Sequence, residues 1–186
     1  MYLIVGLGNP EPEYNKTRHN MGFDVINKLA KKYNINLNKN NFNAIYQNAI
    51  IEGEKVILVK PMTYMNLSGE VVKKYVDYFK INIENILIIN DDMDIALGKY
   101  KLKASGSSAG HNGLKNISQN LGTDSYKRLK IGISKNNIEM KDYVLGKFNT
   151  DELVKLNEVI KNSESILNDY LALSFDNLMN RYNHKG

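Results

Sequence analysis

The 186-residue chain carries no cysteine, which excludes disulfide bonds and thiolate metal sites and suits a reducing compartment. It has no run of about 18 apolar residues to read as a membrane span, and its first residues lack the basic stretch and cleavage site of a secretory signal. Lys and Arg number 25 against 20 Asp and Glu, a formal charge of +5 that permits an anionic partner without requiring one.

Tyr2-Leu3-Ile4-Val5 has the length and β-branched content of a buried strand, and it breaks at the turn Gly6-Leu7-Gly8-Asn9-Pro10. Phe23, Ile26, Leu29 and Ala30 then recur at helical spacing over residues 21–33. The Asn-rich stretch 34–43 reads as loop. Residues 43–51 and 55–59 read as a hairpin around Glu52-Gly53-Glu54, followed by the polar, aromatic loop Lys60–Asn66. A helix is predicted over 68–79, a wholly apolar strand over 86–89 and a turn at Asn90-Asp91-Asp92-Met93-Asp94. Next come a strand over 98–103, a small-residue loop 104–110, a short helix 112–120 and a last strand 126–133. Helical periodicity fills 150–167, with Asp151 placed to help cap it, and continues over 163–182. Strands alternating with helices give an α/β class: one domain over residues 1–186, with a twisted, mixed, mostly parallel sheet flanked by helices.

The strands at 2–5, 55–59 and 86–89 each end in a loop bearing Asn or Asp. If they run parallel, those loops meet at one sheet edge, where α/β folds bind ligands. That would gather Asn9, Asn66, Asp91 and His19. A histidine held at Nδ1 by a carboxylate presents Nε2 as a general base near neutral pH. The competing reading is a surface histidine, and His111 and His184 compete for the role. Gly106-Ser107-Ser108-Ala109-Gly110 matches the G-x-S-x-G nucleophile elbow, which would make Ser108 the nucleophile of an esterase. The strand before it is Lys-rich rather than buried, and no suitable later histidine follows except His184. Gly6-x-Gly8 lacks the third glycine of a dinucleotide fingerprint, since Glu11 stands there. Lys99, Lys101, Lys103, Lys115, Lys127, Arg128 and Lys130 face a single acid, Asp124, within residues 99–130. This is either a solvated basic face or a phosphate-holding surface.

The same residues carry a resemblance. Gly6-Leu7-Gly8-Asn9-Pro10 with Tyr14 and Thr17-Arg18-His19-Asn20-x-Gly22 resembles the opening of the bacterial peptidyl-tRNA hydrolase family. So do Lys60-Pro61-x-Thr63-Tyr64-Met65-Asn66-x-Ser68-Gly69, Asp91-Asp92-Met93-Asp94-Ile95, Gly110-His111-Asn112-Gly113-Leu114-Lys115, Arg128-Leu129-Lys130-Ile131-Gly132-Ile133 and Tyr143-Val144-Leu145-Gly146. These blocks follow family order from residue 1 to about 148. The resemblance implies hydrolysis of the ester between a peptide and the 3′ ribose of tRNA. His19 would be the base that activates water, Asp91 rather than Asp92 or Asp94 its partner, and Asn9 a contact that tells blocked from free aminoacyl-tRNA. Tyr14, Tyr64, Asn66 and Asn112 would line the site, and Lys103 and Lys130 would grip a tRNA phosphate. It further implies no metal or cofactor, a cytoplasmic location and a monomer. The chain departs from the family pattern at Glu11, often Gly; at Asn90-Asp91-Asp92, more usually His-Asp-Glu; at Lys130, often Arg; and in the diluted glycine segment 105–109. A non-catalytic RNA-binding protein of the same fold is the alternative, which a hydrolysis assay separates.

Overall fold

The computed structural model describes residues 1–12, 18–134 and 149–183. Among them are seven strands in one sheet: β1 (Tyr2–Gly6), β2 (Lys39–Asn41), β3 (Ala44–Ile51), β4 (Glu54–Pro61), β5 (Ile86–Asp92), β6 (Tyr100–Lys103) and β7 (Lys127–Gly132). Their spatial order is β2-β3-β4-β1-β5-β7-β6. The central strands β4, β1, β5 and β7 run parallel, and both flanks are antiparallel. The sheet is therefore mixed with a parallel centre, in agreement with the α/β reading.

The helices are α1 (Met21–Lys32), α2 (Ser68–Phe79), α3 (Asn112–Leu121), α4 (Thr150–Tyr170) and α5 (Phe175–Tyr182). They cover both faces, which is why Leu3–Val5, Val56–Val59 and Ile86–Ile89 in the central strands are continuously apolar instead of alternating. Ile4, Leu58, Leu87, Ile89 and Leu129 pack with Val25 and Leu29 of α1, Leu156 and Ile166 of α4 and Leu178 of α5. Leu3, Val5, Val59, Ile86 and Ile88 face the other way, onto Val72 and Tyr75 of α2 and Leu114 and Ile117 of α3.

Three local features depart from the sequence reading. The stretch 34–43 contains β2, whose three residues are all exposed and so show no apolar pattern; pairing with β3 makes it a strand. The helix over 150–182 is two helices, broken after Tyr170 and restarted by Ser174, whose side chain accepts the Asn177 N–H. Asn149, not Asp151, caps α4, in a reciprocal capping box with Glu152.

The approach of α1 to the sheet sets the position of the loop between them. A Cβ on Gly22 would lie 2.3 Å from the Leu7 nitrogen and 2.5 Å from the Ile89 oxygen, both main-chain atoms. The same Leu7 N–H donates to Ile89 O at 3.0 Å, so the turn after β1 is fastened to β5 under the start of α1. Gly22→Ala is expected to cost about 3 kcal/mol or more, because backbone rather than a flexible side chain must give way. Urea unfolding checks this, and an unchanged midpoint would refute so close an approach.

Candidate active site

The carboxyl ends of β1, β4 and β5 and the start of α3 surround a cleft of about 780 Å³. Asn9, His19, Tyr64, Met65, Asn66, Asn90, Asp91, Asp92, His111, Asn112 and Lys130 are among its lining residues. At its centre the Asp91 side chain, almost fully buried at the end of β5, takes two imidazoles on one oxygen. His19 Nδ1 lies 2.8 Å from Oδ1 and His111 Nε2 lies 2.9 Å from the same atom. The two rings are 4.8 Å apart, centre to centre.

The protons on these rings follow from their partners. His111 Nδ1 accepts the Leu114 N–H at 3.2 Å as the N-cap of α3, so its proton sits on Nε2 and is donated to Asp91. Burial alone would push the Asp91 carboxyl up. The two neighbouring histidines and their hydrogen bonds outweigh it and hold the group well below the usual carboxylate range. An ionised Asp91 can only accept, so His19 donates from Nδ1 and its Nε2 keeps a lone pair. Burial lowers the affinity of His19 for a second proton; the Asp91 charge and hydrogen bond more than reverse this, leaving its pKa raised. His19, Asp91 and His111 place three metal-ligating atoms within 4.8 Å of one another. Their nitrogens facing Asp91 carry protons, however, which is hydrogen-bonding rather than ligating chemistry.

Asn9 holds the loop after β1 in place. Its N–H donates to Asn20 Oδ1 at 2.6 Å, and Asn20 Nδ2 returns to Asn9 O at 3.0 Å, clamping the turn to the residue before α1. Asn9 Oδ1 accepts the Met65 N–H at 3.1 Å, which ties the loops after β1 and β4 together and leaves Nδ2 as a donor. Tyr64, Asn66 and Asn112 are exposed and form the rim. Lys130 is buried beneath, with Nζ 3.2 Å from Asp92 Oδ2. Lys103, on β6, does not line the cleft. Tyr14, Thr17 and His184 lie outside the described residues.

A model of the peptidyl-tRNA hydrolase family matches residues 3–186. The chain belongs to the peptidyl-tRNA hydrolase family. It is 46% identical to the peptidyl-tRNA hydrolase of Bacillus cytotoxicus over 99% of its own length and 100% of that protein. It is 48% identical to the one from an Exiguobacterium species over 98% and 100%. A crystal structure of the Acinetobacter baumannii peptidyl-tRNA hydrolase superposes with a TM-score of 0.91 at 39% identity, covering 97% of this chain and 93% of the other. Family membership makes the chain an enzyme, a hydrolase, as its motifs led one to expect.

Asn20 and Asn90 join the cluster without a role in the sequence reading. His111, there a rival base, has both ring nitrogens engaged and no lone pair to offer. That also removes the nearest base from Ser108, and β6, which precedes the Gly-x-Ser-x-Gly run, is an edge strand rather than a central one. Histidine is an uncommon N-cap, so its use at α3 leaves no compositional signal. Asn90 is 1% exposed and donates from Nδ2 to its neighbour's carbonyl, Asp91 O, at 2.8 Å.

The segment entering α3 stores strain. Ala109 has φ +50, a left-handed conformation that disfavours any side chain, and Gly110 follows at φ +82. Ala109→Gly is expected to stabilise the chain by up to about 1 kcal/mol, the relieved strain outweighing the added freedom of the unfolded chain. Thermal unfolding reads this out, and a lower melting temperature would contradict it.

Proposed function

We propose that the chain hydrolyses the ester joining a peptide to the 3′ ribose of tRNA, with His19 as general base, and so returns tRNA to translation. The observation that carries the proposal is the 2.8 Å contact of His19 Nδ1 with Asp91 Oδ1, from which the tautomer follows. With Nδ1–H committed to the carboxylate, Nε2 of His19 is a lone pair in a cleft that admits water and substrate. In this reading His19 Nε2 takes a proton from water as its oxygen adds to the ester carbonyl, and gives it to the departing ribose oxygen. Asp91 holds the ring and stabilises the imidazolium between these events. An ester needs no covalent intermediate for this, and no step calls for a metal or cofactor.

In this reading Asn9 Nδ2, the donor left over once Oδ1 is bound to Met65, serves the carbonyl oxygen or the first peptide group and thereby favours a blocked over a free aminoacyl end. Tyr64, Asn66 and Asn112 at the rim, together with Tyr14, make the surface for the peptide and the terminal nucleotide. Lys103 and Lys130 are the proposed phosphate contacts. We extend the proposal to residues 1–186 acting as one domain and one monomer, in the cytoplasm, on peptidyl-tRNA. Among the described residues no helix is long and apolar enough to cross a membrane.

Removing the base in His19→Ala is expected to lower turnover of an N-acyl-aminoacyl-tRNA by ~10²–10⁴-fold while the circular dichroism spectrum stays that of wild type. Activity near wild type would overturn the assignment, and a wild type that binds tRNA but never turns over would favour the non-catalytic reading. Only neutral His19 can accept a proton, so kcat/KM is expected to rise with pH through an apparent pKa above the ordinary imidazole value of about 6.5. Asp91→Asn removes the charge that raises it, so the limb should move to lower pH as the plateau falls. A limb that stays put in that variant would mean another group controls the profile.

A further inference from the structure

Helix α2 begins without a cap of its own. The first turn of any helix holds N–H groups that have no partner inside it. The residue in the N-cap position here is Leu67, whose side chain accepts nothing. The cap comes instead from the neighbouring helix. Asn116, on α3, accepts the Gly69 N–H on its Oδ1 at 2.7 Å. Gly69 permits the approach, because a Cβ there would lie 2.2 Å from the Asn116 main-chain oxygen and 2.5 Å from the Ile117 nitrogen. The two helices are therefore close to main-chain contact at this point, and one directional hydrogen bond sets their register along each other.

Each end of that bond lies one turn from a residue of the cleft rim. Asn66 belongs to the single 3₁₀ turn Met65–Leu67 that leads into α2, three residues before Gly69. Asn112 opens α3, four residues before Asn116, and so shares its face. Both line the cleft and both are exposed. Among the described residues neither carboxamide has a hydrogen-bond partner, so the main chain beneath them sets their span. The segments that carry them are fastened separately to the centre of the site. The Met65 N–H is on Asn9 Oδ1, and His111, beside Asn112, is on Asp91. Asn116 ties these two halves to each other.

We propose that Asn116 is a positioning residue for the ester hydrolysis: by capping α2 from α3 it holds Asn66 and Asn112 at the span that grips the acylated end of the substrate. Asn116 is not among the residues lining the cleft, so it acts through those two amides and not by contact. The His19–Asp91 pair stands on the start of α1 and the end of β5 and does not depend on it. The inference rests on the proposed hydrolysis and adds to it a residue outside the cleft. What the position needs is an acceptor. Aspartate would keep the oxygen, and its charge suits a helix N-terminus. Alanine would leave the Gly69 N–H bare and the first turn of α2, with Asn66 just ahead of it, free to fray.

The test is steady-state hydrolysis of an N-acyl-aminoacyl-tRNA by the full chain, with melting temperatures measured alongside. Asn116→Ala is expected to raise KM about 10-fold, to keep kcat within about 2-fold and to leave the pH limb of kcat/KM in its wild-type place. Asn116→Asp should bring KM back to within about 2-fold of wild type, since the acceptor is restored. In an Asn66→Ala/Asn112→Ala background the amides to be positioned are gone. There Asn116→Ala should change kcat/KM, measured with enzyme in excess, by less than about 2-fold while still lowering the melting temperature. A merely structural role gives a different pattern: the melting temperature falls while KM holds, or the loss of kcat/KM is equal in both backgrounds. Either pattern would overturn the proposal, as would a displaced pH limb or an Asn116→Asp variant as impaired as Asn116→Ala. Should Asn116→Ala not fold, Asn116→Leu, which keeps the volume and lacks the acceptor, takes its place under the same criteria. A wild type that fails to hydrolyse the acylated tRNA would overturn the proposed activity and this role with it. An active wild type with any of the contrary results would overturn the role of Asn116 alone.

Discussion

One carboxylate oxygen organises this site. Asp91 Oδ1 receives an N–H from His19 and another from His111, all three side chains being buried. Desolvating a carboxylate is expensive, and two short hydrogen bonds from imidazoles are what make its burial tolerable. The arrangement also links segments far apart in sequence. His19 enters α1, Asp91 ends β5, and His111 caps α3 through the Leu114 N–H. Losing Asp91 would therefore release the His19 ring and unseat the start of α3 together. The His111 contact also makes Asp91 a better orienting group, because a carboxylate already holding one donor has less freedom to swing away from the other.

The strand order divides the cleft. On one side of Asp91, the ends of β1 and β4 bring Asn9 and the Tyr64–Asn66 loop, uncharged donors and aromatic surface. On the other, β7 brings Lys130 to the cleft, while Lys101, Lys103 and Arg128, on β6 and β7, lie outside it. The same topology explains why charge is concentrated in one stretch of sequence: β6, α3 and β7 are consecutive, and the antiparallel pairing of β6 with β7 folds their lysines onto one edge.

Much of the fold was legible because burial on both faces writes long apolar runs. The strands at 2–5, 55–59 and 86–89 are legible as apolar runs, and the loops after them as the polar and turn residues that end those runs. What escaped notice has no such signature. β2 is polar and exposed, and only its register with β3 makes it a strand. The break between α4 and α5 leaves the helical periodicity nearly continuous. At the site, His19 and Asp91 could be brought together by reasoning that parallel strand ends converge. The part of His111 could not, because a histidine that caps a helix and holds a carboxylate differs from a free base only in what surrounds it.

The acidic run Asn90-Asp91-Asp92-Met93-Asp94 shows where local pattern ends and geometry begins. Three aspartates stand within four residues, and residue type cannot choose among them. The end of β5 does. Successive side chains of a strand point to opposite faces, so Asp91 and Asp92, its last two residues, part company. Asp91 turns to the histidines, and Asp92 turns to Lys130 on the neighbouring strand. Asp94 lies past the strand, its N–H folded back onto Asp92 Oδ1 at 2.8 Å. A one-residue slip of β5 against β1 and β7 would put Asn90 or Asp92 where Asp91 now stands and break the pairing that sets these roles. The pairing of Leu3 to Gly6 with Ile86 to Ile89, and of Leu87 to Asp92 with Lys127 to Gly132, holds β5 in the register that gives Asp91 its place.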